Sequence, residues 1–165
     1  MKKTLRVFIL LVMTALLKPA VFSHCEIPCG IYNDEMRFTM IEEHITTIEK
    51  AMREIANLSE HRSTDFNQIV RWITNKDKHA DEIQHIISQY FLTQRVKLVE
   101  KEDDKGHKIR MEHLSLCHEI LVYAMRIKQT TDLSNVEKLK AAVKIFKNSY
   151  FKAKAKNERK NPLSR

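Results

Sequence analysis

Two thiols and an imidazole lie close together in the run His24-Cys25-Glu26-Ile27-Pro28-Cys29-Gly30-Ile31-Tyr32. If a leader is removed after Ser23, the α-amine of His24 joins them as a fourth donor. A terminal amine and the next amide nitrogen close a five-membered chelate ring on a metal. The Cys25 thiolate extends that chelate, and the Cys29 thiolate can complete a plane. Two nitrogens and two sulfurs in a plane suit Ni(II) or Cu(II) rather than tetrahedral zinc, with the His24 imidazole within reach of an axial position. Thiolates and a deprotonated amide are strong donors that stabilise the higher oxidation state, which brings a nickel III/II couple within reach. Pro28 and Gly30 let the chain reverse tightly enough to return Cys29.

The residues before the run supply the reason to expect a new terminus there. Lys2, Lys3 and Arg6 precede an apolar stretch from Val7 to Leu17, then Pro19 and a small-residue end with Val21 and Ser23 at −3 and −1. That order is the pattern of a secretory signal. The apolar stretch is shorter than the ~20 residues of a comfortable membrane span. Residues 1–23 are therefore read as a leader that is removed, and the mature protein as exported, periplasmic or extracellular.

The 165-residue chain holds 2 Gly and 3 Pro, and 30% of its residues are charged. Such a composition favours helices over a many-turned β fold. Four amphipathic stretches follow the metal-binding run. Ile41, Ile45, Ile48, Met52 and Ile55 form the first. Phe66, Ile69, Ile73, Ala80, Ile83, Ile87 and Tyr90 form the second, with Lys76 standing where the stripe would continue. His113, Cys117, Ile120, Ala124 and Ile127 form the third, and Val136, Leu139, Val143, Phe146 and Tyr150 the fourth. Each has helical spacing, and sustained 3-4 spacing suits helices packed at shallow angles. Asp65 to Gln68 and Ser134 to Glu137 read as capping boxes. Polar links at Asn57–Thr64, Glu100–His107 and Thr130–Leu133 are short, which favours antiparallel neighbours. The expected architecture is all-α: a hook over 24–32, an antiparallel up-down four-helix bundle over 33–151, and a basic tail over 152–165.

The formal charge of the whole chain is +8. Lys2, Lys3, Arg6 and Lys18 of the leader account for half of it, and Lys152, Lys154, Lys156, Arg159, Lys160 and Arg165 crowd the other end. On an exported chain that end is read as a solvated terminus, so no nucleic-acid partner is expected, nor stable membrane association once the leader is gone. Cys117 falls in a helical stripe, where a small buried thiol is ordinary. Asn57-Leu58-Ser59 matches a glycosylation sequon, a triplet that recurs by chance.

The pattern His-Cys-x-x-Pro-Cys-Gly-x-Tyr at a processed N-terminus resembles the nickel hook of nickel-containing superoxide dismutases. Residues 24–32 match it without a gap. The resemblance implies one nickel ion per subunit, cycling between Ni(II) and Ni(III) while superoxide is disproportionated to O2 and H2O2. It implies that His24, Cys25 and Cys29 are the metal ligands, and that Tyr32 stands beside the open face to admit and orient superoxide. It further implies that Glu26 lies near the substrate pocket, that Glu42 or Glu43 of the first helix orients the His24 imidazole, and that bundles assemble as a homohexamer.

Other metal chemistries fit less well. A di-iron bundle needs two Glu-x-x-His motifs, and Glu82-Ile83-Gln84-His85 is the sole example. The remaining alternative is non-enzymatic: a secreted helical binding protein in which Cys25 and Cys29 form a disulfide. Lysines of the second helix such as Lys76 and Lys78 are expected contributors to steering a small anion.

Overall fold

The side chain of Asn33 starts the first helix by accepting the backbone N–H of Met36 at 3.0 Å. Asp34 and Glu35 then occupy the first turn, where negative charge meets the positive end of the helix dipole. This computed structural model describes residues 30–60, 65–100 and 103–160, with side chains through residue 156. Residues 1–23, expected to be a leader, the residues His24 to Cys29 of the expected hook and the last residues 161–165 lie outside the described residues. The chain divides into two compact units, Met1–Ile31 and Tyr32–Arg165. Of the first, Gly30 and Ile31 are described; both are exposed, and Gly30 has φ 78°, a left-handed turn that suits glycine.

The second unit is a bundle of four helices among the described residues: α1 (Asp34–Glu60), α2 (Phe66–His85), α3 (Asp104–Gln129) and α4 (Ser134–Lys160). A π-helical segment, Ile86–Arg95, continues α2 without a break. Each helix packs on the next, and α4 packs back on α1. That ring of neighbours is the expected four-helix bundle. The 3-4 spacing of α1 buries Ile41, Ile45, Ile48, Met52 and Ile55 as expected, and Phe38 extends the stripe one turn further. Ile120, Ala124 and Ile127 of α3 meet Val136, Leu139, Val143 and Phe146 of α4 in the same core. At one end the core is aromatic: the Phe38 ring lies 4.7 Å from Phe91 and 5.5 Å from Phe146.

Several details depart from the sequence-based expectation. The start of the α2 stripe is not buried: Phe66 is 74% exposed, and Val70 and Ile73 are exposed beside it. Lys76, which seemed to interrupt the stripe, is itself buried. Its ammonium donates to the carbonyls of Ile127 and Lys128 at 2.7 and 3.0 Å, closing the C-terminal end of α3. It is therefore withdrawn from steering, whereas Lys78 is exposed.

The helix starts also differ. Asp65 does cap α2 through the Gln68 N–H. For α4, however, Asp132 accepts both the N–H and the hydroxyl of Ser134, so Ser134 is a donor already inside the helix. α3 begins at Asp104, within the stretch expected to be a link, because Asp103 accepts the N–H of Gly106. A side chain at Gly106 would strike that Asp103 carboxylate and Val99. Finally, α4 runs on to Lys160. The first part of the basic stretch expected as a tail is thus the last turns of the bundle.

The π segment changes which residues face the core. Val96 N–H donates to Phe91 at 2.8 Å, and the Thr93 and Gln94 side chains donate to carbonyls five residues back, at 2.8 and 3.0 Å. A wider turn lets adjacent residues share one face. Ile86 and Ile87 are both buried, and so are Tyr90 and Phe91.

Candidate functional site

Tyr32 is the first residue of the bundle unit and the described end of the hook motif. Its ring is 40% exposed. One edge meets Tyr90, with centroids 5.9 Å apart and planes at 71°. The guanidinium carbon of Arg95 lies 4.3 Å from its ring centre, well inside cation–π range. The π segment carries both neighbours to this position.

Asp34, two residues on, binds the same neighbours. Its carboxylate is buried and accepts the Tyr90 hydroxyl at 2.7 Å. Arg95 donates to it through Nε at 2.8 Å and Nη2 at 2.9 Å, a bidentate fork. Lys154 of α4 donates at 2.7 Å. Arg95 Nε also reaches the Tyr150 hydroxyl at 3.1 Å. Four donors use the acceptor capacity of one carboxylate.

Burial by itself would raise the Asp34 pKa, but the bonds from Arg95, Lys154 and Tyr90 outweigh it and hold the carboxyl far below its ordinary range. Burial and the bond to Asp34 push the Tyr90 phenol well above its usual value. Asp34 is thus held as a carboxylate, Arg95 as a cation, and Tyr90 and Tyr150 as un-ionised phenols through the neutral range. A third cation, Arg37, sits with its guanidinium carbon 5.1 Å from the Tyr90 ring centre. On the Asp34 carboxylate two cations, Arg95 and Lys154, meet one negative charge.

The other site residues distribute as follows. Glu42 turns toward α4 and pairs with Lys147 at 3.2 Å. Glu43 is exposed. His44 Nδ1 lies 2.7 Å from His79 Nδ1. Cys117 is buried and free, and burial pushes its thiol up to about 12, which makes it unreactive at neutral pH. His85 is exposed, and among the described residues no group of three or more His, Cys, Asp and Glu is placed to hold a metal ion. His24, Cys25 and Cys29 lie outside the described residues.

Over residues 19–154 the sequence matches the family described as nickel-containing superoxide dismutase. The chain belongs to that family. It is accordingly an oxidoreductase that acts on superoxide, with nickel as the cofactor its family name carries. The match runs through the whole hook motif and on to Lys154, so Tyr32, Asp34, Tyr90 and Arg95 all fall within it. No curated protein and no solved structure matches the chain.

The sequence singles out Tyr32 by its place in the motif but does not show Asp34, Arg95 and Lys154 gathered beside it. Tyr90 and Tyr150 were visible only as apolar-stripe residues. The one available signal was that both carry a hydroxyl that needs a partner when buried.

Proposed function

We propose that the mature chain begins at His24 and binds one nickel ion per subunit through the His24 amine and imidazole, the Cys25 amide and thiolate, and the Cys29 thiolate. The donor set fits the group. Two soft thiolates and a strongly donating ionised amide would suit nickel and its higher oxidation state. When bound, nickel supplies a one-electron acceptor and donor, alternating between Ni(II) and Ni(III). The overall reaction is 2 O2•− + 2 H+ giving O2 and H2O2, one superoxide being oxidised and the other reduced.

The chain's own residues bring the substrate in. Superoxide is a small anion, and Arg95 and Lys154 on the single Asp34 carboxylate leave one positive charge in excess, with Arg95 against the Tyr32 ring, which favours its approach. Tyr32 admits and orients it. Burial and the bond to Asp34 keep the Tyr90 phenol protonated, so it adds no negative charge that would repel the substrate. Export by the leader and assembly as a homohexamer complete the reading.

The observation that carries the proposal is the gapless His24-to-Tyr32 motif directly behind a signal-like leader, inside the family match. The test is intact mass and nickel content of the processed protein, beside a variant with one extra residue before His24. The processed form should begin at His24 with one nickel and reactive thiols at Cys25 and Cys29 after metal removal. The extended form should lose both nickel and activity. Full nickel and activity in the extended form, or a stable Cys25–Cys29 disulfide in the native protein, would refute the ligand assignment.

A further inference from the structure

Tyr32 lies ahead of the first helix, whose backbone ladder opens with the Arg37 N–H donating to the Asn33 carbonyl at 3.2 Å. Among the described residues its ring is placed by two side-chain contacts, the Tyr90 edge and the Arg95 face. We propose that Arg95 is a positioning residue for Tyr32: Asp34 grips its guanidinium in a bidentate fork and so holds it flat against the phenol ring.

The geometry supports each link. A fork with Nε and Nη2 on the two oxygens of one carboxylate, at 2.8 and 2.9 Å, fixes the guanidinium plane as well as its place. Tyr150 braces the same Nε from α4 at 3.1 Å. Asp34 is itself immobilised by Tyr90 and Lys154. Because Asp34 follows Tyr32 by two residues, the carboxylate pins the chain while the cation it holds pins the ring. The helix that presents Arg95 is specialised for the purpose. Over the ten residues of the π segment, wider turns rotate the last residue by roughly a third of a turn or more relative to an α-helix. Continued as an α-helix, the same sequence would carry Arg95 off the Asp34 side. A lysine at this position keeps the charge but has neither the fork nor the flat face.

This role rests on the reading of Tyr32 as the residue that admits superoxide, and the test separates the two. In the processed, metal-free protein with ring-labelled tyrosine, the Tyr32 ring resonance is compared in wild type, Arg95→Gln and Arg95→Lys, with Tyr123 as an internal control. Both variants should shift the Tyr32 signal toward a freely averaging ring and leave Tyr123 in place. Arg95→Lys leaves Asp34 a cation and so guards against simple loss of fold. In the nickel-loaded enzyme, Arg95→Lys should raise KM about three- to ten-fold with nickel content kept. Tyr32→Ala added to Arg95→Lys should change KM by far less than Tyr32→Ala alone. An unmoved Tyr32 resonance in both variants, wild-type KM in Arg95→Lys, or multiplicative effects in the double variant would overturn the proposal. Absence of nickel from wild type would instead strike the functional reading and leave the ring measurement standing.

Discussion

Lys76→Met tests how the bundle closes one of its helix ends. The Lys76 side chain is 4% exposed, and its ammonium donates to two of the last carbonyls of α3. Those carbonyls have no partner within their own helix, and they form the negative end of its dipole. Methionine keeps the length and apolar stem of the side chain but removes the donor. Each charge-assisted bond contributes about 1.5–3 kcal/mol, while relief from burying an ammonium offsets part of the loss. The net destabilisation should be about 2–4 kcal/mol. With a urea slope of roughly 2 kcal/mol/M for a domain of this size, the unfolding midpoint of the metal-free, processed protein should fall by about 1–2 M at unchanged slope. The dependence of superoxide turnover on ionic strength should stay as in wild type, because a buried, committed charge adds little to the field outside. A midpoint within about 0.3 M of wild type would refute the capping role. A flattened salt dependence would return Lys76 to steering.

Three further outcomes are expected. Phe38→Ala empties the centre of the aromatic cluster formed with Phe91, Phe146, Tyr150 and Phe151, and should cost about 3–5 kcal/mol in chemical denaturation. Burial lowers the pKa of both His44 and His113 from 6.5, with His79 adding to the effect at His44. The unfolded chain therefore takes up protons first as pH falls below 6.5, and stability should decline from there downward, a slope that His44→Gln should flatten in urea midpoints read across pH. Cys117→Ser should retain nickel and turnover while losing about 1–2 kcal/mol of stability, since it places a hydroxyl in an apolar site; Cys25→Ser and Cys29→Ser should each lose nickel by metal analysis.

The helices were legible because burial on one face imposes a 3.6-residue period, and Ile41 to Ile55 or Val136 to Tyr150 obey it residue by residue. Where the period changes, the reading fails in an instructive way. The doublets Ile86-Ile87 and Tyr90-Phe91 recur four residues apart, which is the trace of a widened turn, yet one member of each fits an ordinary α-helical stripe. Lys76 looked like an interruption because a sequence shows the residue but not the carbonyls of α3 that it meets. Phe66 and Ile73 were placed in the core because the period gives a helix's apolar face without saying how far along its length neighbours cover it.

The same distinction divides the hook motif from the network around Tyr32. In the proposed chelate the amine, amide and thiolate of His24 and Cys25 would be adjacent by covalent connection, with Cys29 four residues on, so the proposal is argued from spacing. The network under Tyr32 joins Asp34, Tyr90, Arg95 and Lys154 across three helices. No spacing rule links them, because their approach depends on the register of one helix against another and on the extra winding of the π segment. What the sequence does carry is a charge requirement. A carboxylate in the first turn of α1 satisfies the helix dipole and can remain exposed. Once the fold buries it, it must collect cations, and one of those it collects, Arg95, lies against the Tyr32 ring. In the proposed function the positive charge that favours the approach of superoxide follows from burying Asp34, since the two cations held there, Arg95 and Lys154, exceed the single charge of that carboxylate.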